Sequence, residues 1–280
     1  MWPRAALGLI VLACAGCGGA HHETVVVKKA QAVRPPGLRV GVVGPLRIDV
    51  PGVSPVRGTL AQTAGLPLVL VSARTAGLGA VADVAAAHPA SHFALVGAST
   101  SDDRRANLVG LVLRDDQAAR LAGIVAGLVA SDQGGVSPRV AWVGPQEQRL
   151  AAPFGRGVHE AYARAAVLHQ WSRLVPARCK EAALTAIGRG AAVVMAHGGT
   201  CADAAQQAAH QQNVPALRLS DFELPSVAAD LLARDARAGI YRGGEDIVFG
   251  ASSGAIGVRT LDPRISLDTV VRARAVAGQG

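Results

Sequence analysis

The chain has 280 residues, half of them apolar, enough for one large or two small α/β domains with real cores. Aromatic residues make up only 3%, so Ala, Val, Leu and Ile must fill those cores. The net charge of +8 is almost all arginine, with lysine only at 28, 29 and 180; the arginines form no run and alternate with no aromatic residues, so no nucleic-acid footprint is expected, only a general attraction to anionic surfaces.

Residues 1–17 read as an export leader. Arg4 supplies the positive start, and residues 5–15 form an apolar stretch too short to cross a bilayer as a helix. Ala15-Gly16 ahead of Cys17 has the pattern of a bacterial lipobox, with Cys17 as the lipidated first residue of the mature chain. Cys14, after Val11-Leu12-Ala13, is a second choice. The expected location is the extracytoplasmic face of the cell membrane, held there by the lipid. Cys14 and Cys17 also spell C-x-x-C, but inside an apolar leader that spacing has neither a helix N-terminus nor a paired motif to serve redox or metal chemistry. Residues 18–36, with His21-His22, Lys28-Lys29 and Pro35-Pro36, lack a sustained period and read as a flexible tether.

From residue 37 strand-like and helix-like runs alternate. Strands are predicted at Leu38–Val43, ending in Gly44-Pro45, and at Leu68–Ser72, His92–Val96 and Leu108–Leu113. Helices are predicted over Leu78–Ala87 and 115–130, the latter with Asp115 and Asp116 complementing its N-terminal dipole. The rhythm restarts at 139–143 and again ends in Gly-Pro, at Gly144-Pro145. Helices over 148–165, 180–188 and 201–212 then alternate with strands at 167–175, Ala191–Ala196 and 215–219. Such alternation indicates βαβ units and parallel sheets covered on both faces. The fold class is therefore α/β with two Rossmann-like lobes, an N-terminal lobe over 37–137 and a C-terminal lobe over 138–224. Residues 225–280 complete both: 227–232 crosses between lobes, 246–249 and 256–261 form a strand pair, and a last helix covers 267–277.

Two enzyme motifs occur and fail on context. Gly77-Leu78-Gly79-Ala80-Val81-Ala82 matches G-x-G-x-x-A, but the next strand ends in Val96-Gly97-Ala98-Ser99, without the acid that holds a ribose. Gly250-Ala251-Ser252-Ser253-Gly254 matches a nucleophile elbow, but strand-like residues follow and no histidine lies downstream of His210 to take the proton. No catalytic residue, metal or cofactor is expected. His197 is the one histidine singled out, because it ends a strand before Gly198-Gly199-Thr200, where open α/β sheets hold ligands. Cys179 and Cys201 each stand ahead of a helix on one end of the second sheet; in an exported chain they form a disulfide or stay as two free thiols.

The ordered series Ala85-Ala86-Ala87-His88-Pro89, His92-Phe93-Ala94-Leu95-Val96, Asn107-Leu108-Val109-Gly110, Ala119 to Ala126, Val140 to Gly144 and Phe154-Gly155-Arg156-Gly157 resembles the basic membrane protein family of substrate-binding lipoproteins, the purine nucleoside receptor type. The resemblance runs from about residue 66 to 260. It implies a type I periplasmic-binding-protein fold, three crossovers between lobes, a nucleoside-like ligand in the cleft and an ABC permease as partner of a monomeric chain. It matches Phe154 to a family Phe and places Asp221 near the family's acidic ligand contact. The chain departs from the pattern after the first strand, where Gly44-Pro45-Leu46-Arg47-Ile48-Asp49 holds no Asn or aromatic residue, and at Gly97, where an Asp is usual. The segment between the first two strands is also short for a full helix. A nucleoside, another small polar solute, and a degenerate cleft in a sensor or scaffold lipoprotein all stay open. The expected ligand-binding residues are Gly44, Ser99 and Thr100 from the first lobe and Phe154, Gly198, Gly199, Thr200, Asp221 and Phe222 from the second.

Overall fold

The computed structural model describes residues 37–134, 138–259 and 261–278. The leader, the tether, Cys14 and Cys17 lie outside the described residues.

In the first lobe β1 (Leu38–Val43) is followed by β2 (Val53–Arg57), a short helix α1 (Leu60–Thr63), β3 (Leu68–Ser72), α2 (Leu78–Ala87), β4 (His92–Val96) and β5 (Leu108–Leu113). These strands and the later β10 (Asp246–Phe249) form a six-stranded sheet in the order β10-β5-β4-β3-β1-β2, parallel throughout. The apolar runs alternate by face. Val43, Val69, Val71, Phe93 and Leu95 pack toward α1 and α2, while Val40, Val42, Leu70, Ala94 and Leu111 pack on the other side, where α7 (Pro225–Arg237) crosses β3, β4 and β5. Two covered faces explain why these strands read as continuous apolar runs.

Between β1 and β2 the chain differs from the usual pattern. Parallel neighbours normally need a dozen or more residues and a helix between them; here only residues 44–52 make the connection. Leu46 and Val50 bury themselves where a helix would have covered the sheet. The loop's amides are held by α7: Arg47 N–H donates to Ser226 Oγ at 2.9 Å and Asp49 N–H to Asp230 Oδ1 at 3.0 Å. The reduced helix expected here corresponds to the four-residue α1, but β2 itself was not expected.

The second lobe contains β6 (Arg139–Gly144), α4 (Gln148–Ala161), β7 (Ala166–Trp171), α5 (Pro176–Gly188), β8 (Ala191–Ala196), α6 (Gly199–Gln211) and β9 (Ala216–Arg218). Its four-stranded sheet is parallel, in the order β7-β6-β8-β9. Ala141, Val143, Val194 and Ala196 pack toward α5 and α6, and Val140, Trp142, Val193 and Met195 toward the opposite face. That face is covered by α3 (Asp115–Asp132), which packs on α4, β6 and β8 and on the terminal helix α8 (Leu267–Gly278). The chain therefore leaves the first lobe at Arg114, and the boundary expected near residue 137 is corrected accordingly. Apolar periodicity showed a buried helix but not which sheet it covers.

The α3–α4 contact is made backbone to backbone. A Cβ on Gly123 would lie 2.0 Å from the Phe154 carbonyl oxygen, and one on Gly157 would lie 2.0 Å from that of Arg120. Gly127 meets the Val158 carbonyl oxygen in the same way, at 2.7 Å. No larger residue fits this crossing.

Three segments pass between the lobes: Arg114, residues 219–225 and residues 250–259. The second and third run together. Glu223 and Ile256 form an antiparallel bridge, and Leu224 N–H to Ala255 O (2.8 Å), Gly257 N–H to Phe222 O (3.0 Å) and Arg259 N–H to Asp221 O (2.9 Å) extend it. The first joins through Arg114 N–H to Phe249 O at 2.9 Å and Ala251 N–H to Gln117 Oε1 at 2.7 Å. Two expectations are corrected here. Of the strand pair expected over 246–249 and 256–261, β10 lies parallel to β5 and Ile256 bridges Glu223 instead, and residues 227–232 belong to α7 in the first lobe. Residues 251–253, the elbow-like motif, form a single 3-10 turn with Ser253 Oγ donating to Gly250 O.

Gly123→Val is expected to cost about 3 kcal/mol or more in denaturant unfolding, because helix backbone must move. Gly155→Ala in α4, where nothing lies within 4 Å of the added methyl, should instead stabilise by about 0.5–1 kcal/mol. Equal effects of the two substitutions would contradict the backbone-contact account.

Candidate functional site

Parallel strands place all their carboxyl ends on one sheet edge, and both lobes turn that edge toward the crossovers. The first lobe supplies Gly44-Pro45 after β1, Ser72-Ala73-Arg74 at the end of β3 and Gly97 after β4, and Asp115 opens α3 just past the Arg114 crossover. The second supplies Glu147 after β6, His197-Gly198-Gly199 after β8 and Arg218 to Ser220 at β9. Glu223 stands on the paired crossovers between them, with Arg259 on the adjoining segment.

A narrow cavity of about 120 Å³ lies on the first-lobe side, lined by Pro45, Arg74, Gly97, Asp115, Glu223 and Arg259. A wider hollow of about 660 Å³ opens against the second lobe, lined by His197, Gly198, Gly199, Arg218 and Ser220. Arg74 and Glu223 line both, so the two are parts of one cleft.

Charge is concentrated here. Arg74 Nη2 meets Glu223 Oε2 at 3.3 Å. Glu223 is nonetheless pushed up to about 7, first by burial and then by the Asp115 carboxylate, against the pull of Arg74. Burial also raises Asp115, whose cationic neighbour Arg149 stands 3.8 Å away and is held closer, at 2.5 Å, by Glu147. His197 is lowered by burial, with Glu147 Oε2 at 3.4 Å working in the opposite direction.

The sequence-predicted residues divide. Gly44 sits at the cleft rim with φ +92°, where a side chain would strike Thr75. Gly198 and Gly199 line the hollow with φ +101° and +47°, so the turn into α6 is reserved for glycine. Thr200 follows in the first turn of α6, exposed and outside the lining. Asp221 is buried and already committed, accepting Arg218 N–H at 3.0 Å and Arg218 Nη2 at 3.1 Å. Phe154 and Phe222 are corrected: both are wholly buried, Phe154 with its ring 5.2 Å from that of Trp142, and neither presents surface to a ligand. Ser99 and Thr100 are corrected as well. Their loop folds back along the sheet edge, where Ser99 Oγ and the Thr100 amide (2.7 Å) both donate to Asp246 and fasten β10.

Arg74, Glu147, Glu223 and Arg259 were not singled out from sequence, and Asp115 only as the start of a helix. The available signal was position: charged residues just past apolar strands or at a crossover. Cys179 and Cys201, in the first turns of α5 and α6, are joined by a disulfide. It braces the turn that carries Gly198 and Gly199. Among the described residues no three His, Cys, Asp or Glu side chains gather to hold a metal ion.

No protein-family model matches the chain, and no curated protein matches it in sequence. Solved structures do match it in fold. They include an ABC transporter system solute-binding protein from Conexibacter woesei DSM 14684, at 17% identity and TM-score 0.60 over 87% of this chain and 96% of that one. A solute-binding protein of an ABC transporter system from Aeropyrum pernix K1 is also similar, at 17% identity and TM-score 0.54 over 86% and 85%. So is a transcriptional activator of the comK gene from Bacillus halodurans, at 13% identity and TM-score 0.57 over 87% and 97%. At these identities the likeness shows the fold: two Rossmann-like α/β lobes of the periplasmic-binding-protein kind.

Because Glu223 binds its proton more tightly folded than unfolded, its contribution to stability is full below about pH 4.5 and is lost as pH rises through about 7. The displacement corresponds to about 3 kcal/mol. Melting of the wild type and Glu223→Gln between pH 4.5 and 8 should show a larger loss in the wild type than in the variant, which keeps only the smaller effect of Asp115. Parallel curves would contradict a desolvated Glu223.

Proposed function

We propose that the chain is an extracytoplasmic solute-binding lipoprotein of an ABC importer, tied to the membrane through Cys17, that closes its two lobes over a small polar solute and presents it to a permease. The observation that carries this reading is the cleft itself. Charged groups gather there around a largely buried Glu223, and the three crossovers beside it are bonded to one another, which is the arrangement a hinge needs. The export leader and the fold shared with ABC solute-binding proteins support the same reading. Among the described residues no helix is long and apolar enough to cross a membrane. The proposed lipid on Cys17 rests on the Ala15-Gly16-Cys17 pattern after the apolar stretch. We read the chain as a monomer and as a binder rather than an enzyme.

The nucleoside version has less support. A base needs an aromatic face to stack on, and no Phe, Tyr or Trp is among the residues lining the cavity or the hollow. The matching Phe154 is occupied within the core. A polar solute without a base is the better reading. The alternative role, a sensor or scaffold lipoprotein with a degenerate cleft, shares the fold but needs no ligand.

Thermal-shift measurements on the full chain distinguish these. A solute at a hundred times its Kd should stabilise by about 2.7 kcal/mol. Scattering from the liganded protein should show a smaller radius of gyration. Stabilisation by no sugar, polyol, amino acid or nucleoside would favour the degenerate cleft. In cells given a labelled fatty acid, Cys17→Ala should abolish incorporation; retained label would move the anchor to Cys14.

A further inference from the structure

The chain as a whole carries an excess of eight positive charges, yet its cleft does not. The narrow cavity is lined by two carboxyl groups, Asp115 and Glu223, and two guanidinium groups, Arg74 and Arg259. They are only partly matched to each other. Arg74 reaches Glu223 at 3.3 Å while keeping 63% of its side chain exposed. Asp115 has its nearest ion-pair partner at 3.8 Å, in Arg149, which Glu147 holds at 2.5 Å. Arg259, an exposed residue at the cavity mouth, has its backbone N–H on the Asp221 carbonyl, and its guanidinium makes no ion pair among the described residues, so it is open to an incoming anionic group. Glu223 meanwhile keeps only 17% of its side chain in solvent.

Glu223, and in part Asp115, are drawn out of water and call for a positive counter-charge, while Arg74 and Arg259 stay exposed at the mouth, where an anionic group can reach them. A neutral polyol would leave the buried carboxyl groups without that counter-charge. A plain amine would satisfy Asp115 and Glu223 and leave Arg259; a plain anion would meet Arg259 and face two carboxylates. From this pattern, and resting on the solute-binding reading above, we infer that the cleft takes a small zwitterion, a solute of the amino-acid kind carrying a protonated amine and a carboxylate. The amine sits on Asp115 and Glu223. The carboxylate meets Arg259 and draws Arg74 from its present pairing. The volumes fit such a molecule: the cavity of about 120 Å³ suits a compact charged head, and the hollow of about 660 Å³, past His197 and the Gly198-Gly199 turn, has room for a side chain.

The test is calorimetric titration of the full chain with glycine, L-glutamine and L-arginine beside putrescine, acetate, D-ribose, glycerol and adenosine. At least one amino acid should bind, and putrescine and acetate should bind at least tenfold more weakly. For the best amino acid, N-acetylation and methyl esterification each delete one charge without altering the protein, and each should weaken binding at least tenfold. Glu223→Gln and Arg259→Met should do the same, with far-UV dichroism confirming that both variants fold. Equal binding of either capped form, or undiminished binding by both variants, would overturn the zwitterion. Binding of D-ribose, glycerol or adenosine without any amino acid would also overturn it while leaving the solute-binding reading intact. Binding of none of the probes would count against both.

Discussion

A sheet whose strands all run one way has a chemically distinct edge: every strand ends there, and each following loop or helix begins there. This protein has two such sheets, and its chain passes between them three times at a single place. The first constraint makes the facing edges polar, because strand ends and helix starts cannot be buried as apolar surface. The second keeps those edges in register. Arg74, Asp115, His197 and Glu223 are distant in sequence, and only this topology brings them to one opening.

The second lobe depends on how closely α3 and α4 approach. With little aromatic volume available, the core is filled by short side chains and by backbone drawn near to backbone. Gly123, Gly127 and Gly157 make that approach sterically allowed, and the helix they set in place begins with the Asp115 of the cleft. Packing and site are thus linked through one element. A shift of α3 away from α4 would move its first turn and the carboxylate there.

Much of this architecture was legible in the residues. Strands buried on both faces announce themselves as runs such as Leu68-Val69-Leu70-Val71, and two successive series of them imply two lobes. β2 escaped notice because it is an edge: Val53-Ser54-Pro55-Val56-Arg57 is mostly exposed, and its proline suits a strand with a free side. Ile256, Gly257 and Val258 suggested a strand, yet the segment 255–259 pairs with the crossover at 221–224 rather than with β10. The site was half visible. Gly44, Gly198 and Gly199 followed from strand ends, whereas the four charged groups of the cavity come from separate segments whose meeting is purely tertiary. Phe154 and Phe222 misled for a compositional reason: where aromatic residues are scarce, the core has first use of them.

The bonded crossovers also limit how the two halves can move. Because Glu223 and Ile256 are paired and Arg114 is fastened to Phe249, the connections cannot slide past one another without breaking backbone hydrogen bonds. What those bonds leave open is a rotation of one half against the other, so on the proposed reading a permease facing the rims would meet a filled cleft as a change of angle rather than of position.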